Sequence, residues 1–373
     1  EEYMAATDTG WAGKGELDIQ AAFREWGFPT EDLGTVDRYL PHCDFYTIDV
    51  ADDIGTPAAP EEIAAFIDRH PELIGTIEIE GIAAPLRITR EDVEKTARQF
   101  LKACELAGRI YRHIAGAKDG EDFIAEVSMD ETDDPQTPPE MLVILAAIAD
   151  QDFPIQTIAP KFTGRFNKGV DYVGDLARFE QEFNDDLAVI AHAIKAYGLP
   201  GTLKLSVHSG SDKFSIYGPI RRALSRTGAG LHIKTAGTTW LEELIGLAEA
   251  GGEALALARQ IYLTALEKKE ALCEPYATVI DVDDSKLPGA EEVKEWTSEQ
   301  YTGALRHDQS NPAYNQHFRQ LLHVGFKVAA QLGDTYLDAL KANAGVIGKN
   351  VTENIYQRHM VPLFLGEEDR PRQ

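Results

Sequence analysis

The stretch TLKLSVHSGSDKFSIYGPIRRALSRTGAGLHIKTAGTTWLEE (Thr202–Glu243) decides between the folds that are compatible with this 373-residue chain. Two short runs of aliphatic and β-branched residues, Thr202–His208 and Gly230–Thr235, each lead through a small glycine-containing turn into a helical run. The alternation predicts a parallel sheet covered by helices. It recurs along the chain, where the other strand candidates are Asp44–Val50, Leu73–Glu80, Asp122–Ser128, Pro154–Ala159 and Tyr276–Val282.

Two architectures satisfy this alternation, an open doubly wound sheet and a closed barrel. Seven strand candidates favour the barrel, and residues 311–365 show helical patterns without a further strand. We therefore predict an α/β fold with a (β/α)8 TIM-type barrel and a helical C-terminal extension. No linker rich in glycine, proline or serine divides the chain. We expect one catalytic barrel domain at residues 36–366, an N-terminal segment at residues 1–35 that is truncated or partly ordered, and a tail at residues 367–373.

The composition is that of a globular protein with a strong negative charge. The formal net charge is −26 at pH 7, and the pI is about 4.7. Such a surface repels phosphate backbones and anionic lipids, which argues against nucleic-acid and membrane binding. No apolar run approaches the roughly 18 residues of a transmembrane helix, and no pattern of a signal peptide is present. Three cysteines without a CxxC motif fit a reducing compartment, so we expect a cytoplasmic protein.

Polar and apolar residues alternate along the predicted strands, so that each strand has one apolar and one ionisable face. In Thr202–His208, for example, Lys204, Ser206 and His208 share one face. Strands that only pack inside a parallel sheet are nearly continuous apolar runs instead. In a barrel the polar faces point to the centre and to the C-terminal mouth, where active sites of this fold lie. The alternation therefore predicts a polar catalytic centre.

Two histidines stand at the ends of neighbouring strand candidates, His208 and His232. Imidazole nitrogens at adjacent strand ends, joined by a carboxylate, are typical of a divalent-metal site in a barrel. We therefore predict that His208 and His232 bind a divalent cation, whose identity the sequence leaves open. The acidic residues that qualify as further ligands or catalytic groups are Asp49, Glu126, Asp130, Glu131 and Asp281.

Glu126 and Asp49 are the predicted catalytic carboxylates. Glu126 shares a strand face with Ser128, and in a barrel it points to the mouth, where a carboxylate can exchange a proton with a substrate hydroxyl. A low-dielectric site is expected to raise its pKa towards neutrality. The alternative is a carboxylate that orients His208 or His232.

Two hydroxyl-rich turns, Ser209–Phe214 and Thr235–Thr239, follow strand candidates and open helices. Backbone N–H groups at such helix starts bind anions, with help from the helix dipole. A basic segment at residues 161–172 is predicted to close over an anionic substrate. Ordinary capped turns and a solvated loop are the alternatives. The predicted substrate-binding residues are Lys161, Arg165, Ser209, Ser211, Lys213, Lys234 and Thr235.

The chain resembles the bacterial tagaturonate epimerase family over about residues 35–366. The resemblance is carried by VHSGSDKFSIY (Val207–Tyr217), HIKTAGTTWLE (His232–Glu242), APKFTGRFNKGVDYVGD (Ala159–Asp175), DFYTIDVAD (Asp44–Asp52) and the tail from Tyr314 to Gly366. It implies a metal-dependent enzyme of hexuronate catabolism that interconverts D-tagaturonate and D-fructuronate. The family positions that it carries over are Glu126, His208, Ser209, Lys213, His232 and Lys234.

One segment departs from the family pattern. Family members are longer at the N-terminus and have an Asp-Ala-Asp-His segment just before the strand that holds Asp49, whereas this chain has Pro29–Gly34 there. If that histidine is a metal ligand and that aspartate a base in the family, this chain lacks both.

The implied reaction fits these residue types. The two keto acids differ at a carbon β to the ketone, whose C–H is not acidic, so simple proton abstraction cannot invert it. Retro-aldol cleavage can, with a base on the hydroxyl and a metal that holds the enediolate as a Lewis acid. Transient oxidation by a nicotinamide is the other route, but no dinucleotide-binding motif is present.

Other functions remain open at this point. They are a class II aldolase or another sugar-acid isomerase on the same barrel, and a non-catalytic sugar-acid binding protein. The expected partner is a small keto-hexuronate, and a homo-oligomer is compatible with the sequence.

Overall fold

The computed structural model describes residues 16–18, 33–38, 40–50, 53–130, 132 and 134–366. These residues form two compact units. The first unit contains the described residues up to Gly164 together with Gly174–His208 and Arg222–Ile233. The second unit contains Arg165–Val173, Ser209–Arg221 and the described residues from Lys234 onwards. The predicted tail at 367–373 and most of the predicted segment at 1–35 lie outside the described residues.

A parallel sheet is the framework of the first unit. In chain order the strands are β1 (Glu16–Asp18), β2 (Phe45–Asp49), β3 (Gly75–Ile77), β4 (Leu86–Ile88), β5 (Ile124–Ser128), β6 (Thr157–Ala159), β7 (Lys204–Val207) and β8 (Leu231–Ile233). Six of them pair in the order β1-β2-β5-β6-β7-β8, each parallel to the next. β3 and β4 form a separate antiparallel pair. The strand order follows the chain order, as in βα barrels and unlike doubly wound sheets.

The prediction of an α/β fold with a parallel sheet is confirmed, and five of the strand candidates contain β2, β5, β6, β7 and β8. The candidate Leu73–Glu80 is wrong as a parallel strand, because within it only Gly75–Ile77 forms a strand, and this strand pairs antiparallel with β4. The candidate Tyr276–Val282 is also wrong, since a short 3₁₀ helix occupies Glu274–Tyr276 and residues 277–282 contain no strand. A closed eight-stranded barrel is not found among the described residues, in which the parallel sheet has six strands.

Helices connect the strands of the first unit. They are α1 (Pro60–Arg69), α2 (Arg90–Lys118), α3 (Pro138–Ala149) and α4 (Leu176–Tyr197), while α5 (Phe214–Thr227) runs from the second unit into the first. Their ends follow from local sequence. Thr137 and Glu140 form a reciprocal capping box, with Pro138 in the first turn of α3. Gly198 ends α4 in a left-handed conformation with φ of 70°.

The second unit is helical. Its helices are α6 (Ala236–Ala250), α7 (Gly252–Glu267), α8 (Lys269–Cys273), α9 (Ala290–Glu295), α10 (Ser298–Leu305), α11 (Gln316–Val324), α12 (Phe326–Leu332), α13 (Asp334–Ala342), α14 (Ala344–Thr352) and a π-helix (Glu353–Leu365). Buried aromatic and aliphatic side chains, among them Trp240, Tyr262 and Phe318, form its core. The prediction of helices without a strand over residues 311–365 agrees with this part of the structure. None of the helices in the described ranges has the length and apolar character required to cross a membrane.

Candidate active site

A buried carboxylate lies in the middle of the parallel sheet. The registers of β2, β5 and β6 place Thr47, Glu126 and Thr157 side by side on three neighbouring strands. The hydroxyl of Thr47 donates to Oε1 of Glu126 at 3.1 Å, and the hydroxyl of Thr157 donates to Oε2 at 2.8 Å. Glu126 has no exposed surface. The carboxylate is therefore held in one orientation from the strand on each side.

Two imidazoles meet this carboxylate through different oxygens. Nε2 of His208 lies 2.6 Å from Oε1 of Glu126, and Nδ1 of His232 lies 2.9 Å from Oε2. His232 belongs to β8, and His208 directly follows β7, which pairs with β8. The structure thus brings together three residues that the sequence analysis selected from the alternation of polar residues along the strands.

Three more polar side chains, Ser128, Asp130 and Ser206, contact the two imidazoles. Nδ1 of His208 lies 2.8 Å from Oδ1 of Asp130 and 3.1 Å from Oγ of Ser128. The hydroxyl of Ser128 in turn donates to Asp130 at 2.6 Å. His208 therefore meets a carboxylate at each ring nitrogen, and an imidazole can donate to both only when both nitrogens carry protons. Oγ of Ser206 lies 2.9 Å from Nδ1 of His232.

The charge state of Glu126 differs from the one expected from the sequence. Burial by itself raises the pKa of Glu126, but the charges and hydrogen bonds of His208 and His232 outweigh burial and hold this pKa well below its usual range. The predicted rise of the pKa towards neutrality is therefore wrong, because it took account of burial and not of the two imidazoles. At neutral pH Glu126 is an ionised hydrogen-bond acceptor.

The site contains the types of side chain that bind metals, but these side chains bond directly to one another. Two imidazoles and carboxylates are typical ligands of first-row divalent cations. In the described residues, however, no group of three or more His, Cys, Asp or Glu side chains is arranged so that it could hold a metal ion. Instead, a ring nitrogen of His208 and one of His232 each contact an oxygen of Glu126.

The other predicted acidic residues occupy different positions. Asp49 is buried at the end of β2, in register with Ser128 of β5. Asp281 lies in the second unit, where its exposed carboxylate pairs with the exposed Arg165 at 3.3 Å. Glu131 lies outside the described residues, as do Pro29–Asp32 of the segment that replaces the family's Asp-Ala-Asp-His pattern. Of the five acidic candidates, Glu126 and Asp130 contact the imidazoles.

The predicted substrate-binding residues are divided between the two units. Lys161 belongs to the first unit, where its ammonium donates to the carbonyl oxygen of Thr132. Arg165 and the remaining residues belong to the second unit, namely Ser209, Ser211, Lys213, Lys234 and Thr235. Thr235 is buried at the start of α6, and its hydroxyl has no hydrogen-bond partner within the described part of the chain.

Lys213 forms hydrogen bonds with backbone groups of the protein. Its side chain is fully buried, and its ammonium donates to the carbonyl oxygens of Asn167 at 2.8 Å and Ser211 at 3.4 Å. Burial lowers the pKa of Lys213 to about 7, while the neighbouring Asp212 and Asp171 oppose that change. This predicted substrate-binding side chain thus bonds to the backbone of its own loop and of residue 167.

Three hydroxyl groups of the site were not predicted from the sequence. Thr47, Thr157 and Ser206 lie on the sheet face that carries Glu126 or His232, and each contacts one of these two residues. The period of two along a strand already placed Ser206 on the polar face of its strand, and the same period puts Thr47 on one face with Asp49. That signal does not identify hydrogen-bond partners, because partners depend on the register between strands.

Comparisons with known proteins agree on one family. The model of the tagaturonate epimerase family matches residues 75–360. The tagaturonate/fructuronate epimerase of Thermotoga maritima is 34% identical over 248 residues, which are 66% of this chain and 46% of that protein. The chain therefore spans about half the length of the curated relative that it matches.

Solved structures show the same fold. The crystal structure of the fructuronate-tagaturonate epimerase from Cohnella laeviribosi with two glycerol molecules matches with a TM-score of 0.71 at 22% identity, over 93% of this chain and 71% of that one. Its complex with one glycerol matches with a TM-score of 0.68 at 23% identity, over 89% and 66% of the two chains. At this level of identity the likeness concerns the fold.

Proposed function

The chain belongs to the tagaturonate epimerase family, and on that premise we propose that it is a carbohydrate epimerase that interconverts D-tagaturonate and D-fructuronate. One observation carries the proposal to this chain, namely the buried carboxylate of Glu126 between the imidazoles of His208 and His232, at 2.6 and 2.9 Å. The region that matches the family model contains all three residues. A polar centre with these groups is suited to moving protons on a polyhydroxy acid.

The proposed reaction is a retro-aldol cleavage followed by aldol addition. A base removes the proton of the C4 hydroxyl, the electron pair of the C3–C4 bond moves to the C2 ketone, and C4 becomes an aldehyde. The aldehyde turns over, and the enediolate attacks its other face. The C3–C4 bond then forms again, and the proton returns to the C4 oxygen. Atoms and electrons balance without an oxidant.

Two carboxylates have separate roles in this proposal. Asp49 and Thr47 alternate on β2 with the same parity, so Asp49 lies on the sheet face of Glu126. We assign removal of the hydroxyl proton to Asp49. Glu126 holds the imidazoles of His208 and His232, since a carboxylate whose pKa lies well below neutrality is a weak base.

A divalent cation is part of the proposal. His208, His232 and Glu126 supply donor types that suit it, imidazole nitrogens and a carboxylate oxygen, although in the described residues these side chains bond to one another and are not arranged around a cation. When bound, it would supply Lewis-acid stabilisation of the enediolate. The support for this step comes from the donor types and from their closeness to one another.

Three further expectations belong to the same proposal. We propose that the parallel sheet is part of a (β/α)8 barrel, which its sequential strand order supports. A keto-hexuronate is the proposed substrate. The substrate-binding roles of seven residues remain predictions, namely those of Lys161, Arg165, Ser209, Ser211, Lys213, Lys234 and Thr235. The three cysteines form no disulfide, which supports a cytoplasmic location.

Turnover of D-tagaturonate followed by NMR tests the function. The purified protein should convert it to an equilibrium mixture with D-fructuronate, and a chelator should stop the conversion until a divalent cation is added back. Asp49→Asn should abolish turnover, whereas the exposed control Asp68→Asn on α1 should retain it. Accumulation of two three-carbon fragments would identify an aldolase instead. Binding in a calorimeter without turnover would identify a sugar-acid binding protein.

A further inference from the structure

We propose that Asp212 and Arg319 are positioning residues for the epimerase, which fix the backbone of the loop Ser209–Lys213. This inference rests on the proposed function, because the loop directly follows His208 in the chain and contains predicted substrate-binding residues. All of the contacts that carry it lie within the second unit. Neither residue was selected as functional from the sequence.

The loop has a backbone conformation that needs external support. Ser209 has φ of 48° and Asp212 has φ of 58°, so two non-glycine residues within four positions are left-handed. Residues other than glycine disfavour left-handed backbone angles, because their Cβ atoms clash with the backbone. They keep such angles where contacts with the surrounding structure hold them. The contacts of Asp212 with the surrounding residues supply that support.

Arg319 joins three distant segments of the chain. It lies on α11 and is fully buried. Its Nε donates to the carbonyl oxygen of Gly169 at 2.6 Å, its Nη1 donates to the carbonyl oxygen of Leu305 at 2.7 Å, and its Nη2 donates to the carboxylate of Asp212. The planar guanidinium presents these donors in fixed directions. A lysine ammonium is a single point and cannot replace the three contacts.

The other polar atoms of Asp212 are also bonded inside the protein. Its carboxylate accepts from the hydroxyl of Thr238 and from Nδ2 of Asn354, each at 3.3 Å. Its backbone N–H donates to Nε2 of His359 at 2.9 Å. Burial raises the pKa of Asp212, but Arg319 and the nearby histidines outweigh burial and hold this pKa well below its usual range. Asp212 is therefore an anion that connects the loop to α6, α11 and the π-helix.

The π-helix explains how two of these contacts arise. Asn354 and His359 are five residues apart, and both contact Asp212. In an α-helix, with 3.6 residues per turn, they would point about 140° apart. The i→i+5 bonding of a π-helix brings these positions to one side, and Nδ1 of His359 lies 2.9 Å from the carbonyl oxygen of Asn354. The π-helix thus positions the side chains of Asn354 and His359 so that both can bond to Asp212 in the loop.

Paired variants test the positioning role. Arg319→Gln removes the charge and two of the three donor directions, and Arg319→Lys keeps the charge alone. The control is Tyr301→Phe, which removes a different buried hydrogen bond of the same unit, to the carbonyl oxygen of Ala258 at 2.9 Å. We expect Arg319→Gln to raise KM for D-tagaturonate at least tenfold, with little rescue by Arg319→Lys. Tyr301→Phe should leave KM within twofold of wild type.

Hydrogen exchange of the loop supplies a readout that does not depend on turnover. The amides of residues 209–213 should exchange at least tenfold faster in Arg319→Gln than in wild type, while the control leaves them unchanged. If Arg319→Gln does not fold, Asp212→Asn carries the same test from the other partner. An unchanged KM, or unchanged exchange of the loop, would overturn the inference. A wild-type protein without epimerase activity would refute the proposed function, and the exchange measurement would still decide whether Arg319 holds the loop.

Discussion

Replacing Glu242 with glutamine should remove a pH dependence from the stability of the protein. Glu242 lies on α6 and is 1% exposed. Its Oε1 accepts a hydrogen bond from Nδ2 of Asn354 at 3.0 Å. Burial is the main cause that raises the pKa of Glu242 from 4.5 to about 7, and the three arginines around it only partly oppose that rise. Glutamine has nearly the same shape, keeps the accepting oxygen and does not titrate.

The sign and size of the effect follow from linkage. The folded protein holds the proton of Glu242 more tightly than the unfolded chain does, so this stabilising contribution is complete below pH 4.5. It is lost as the pH rises towards 7, because the unfolded chain then releases the proton first. The interval from 4.5 to about 7, at 1.36 kcal/mol per pH unit, corresponds to about 3 kcal/mol. The unfolding free energy of Glu242→Gln minus that of wild type should therefore rise by about 3 kcal/mol between pH 4.5 and 7.5.

Urea denaturation followed by circular dichroism at pH 4.5, 6.0 and 7.5 measures this difference. Glu253→Gln, at an exposed position near the start of α7, is the matched control. Its curve of unfolding free energy against pH should stay parallel to that of wild type. If the curves of Glu242→Gln and wild type are also parallel over this range, Glu242 is ionised in the folded protein. The reasoning from burial would then be refuted.

Further outcomes follow from the active site and from one close packing contact. Glu126→Gln can no longer accept from both imidazoles, so kcat should fall by about 10² or more; a loss below tenfold would contradict the positioning role. His232→Ala should fail to retain a divalent cation when metal content is measured by mass spectrometry after loading, whereas a full equivalent would remove this histidine from the proposed metal site. Gly237→Ala should lower the unfolding free energy by about 1–3 kcal/mol, because its new Cβ would overlap the ring of His323, while Gly345→Ala, with open space around it, should be neutral or stabilising.

The parallel part of the sheet could be predicted because its strands and turns follow local rules. Short β-branched runs followed by glycine-containing helix starts identified β7 and β8 correctly. The same period of two led to a wrong prediction at Leu73–Glu80, since an antiparallel pair with one solvated face also alternates polar and apolar residues. At Tyr276–Val282 the β-branched residues were present, but a strand also needs a partner, which local sequence does not reveal.

Three residues of the candidate site could be predicted from the sequence, but the charge state of Glu126 could not. Glu126, His208 and His232 were found from strand parity and the order of the strands. The low pKa of Glu126 depends on which side chains face it across the sheet, and that requires the register. Arg319 could not be predicted for a similar reason, because its three acceptors lie 14, 107 and 150 residues away from it along the chain.

The position of Glu126 has a consequence for how the protein is made. Strands that pair with their predecessors in chain order can be added one at a time while the ribosome synthesises the chain. After β6 has been added, Glu126 already has Thr47 and Thr157, but His208 and His232 have not yet arrived. In a nascent sheet of this length the carboxylate of Glu126 has two hydroxyl donors but lacks the two imidazoles that lower its pKa. The charge of Glu126 is therefore fully stabilised only once the strands that carry His208 and His232 have joined the sheet.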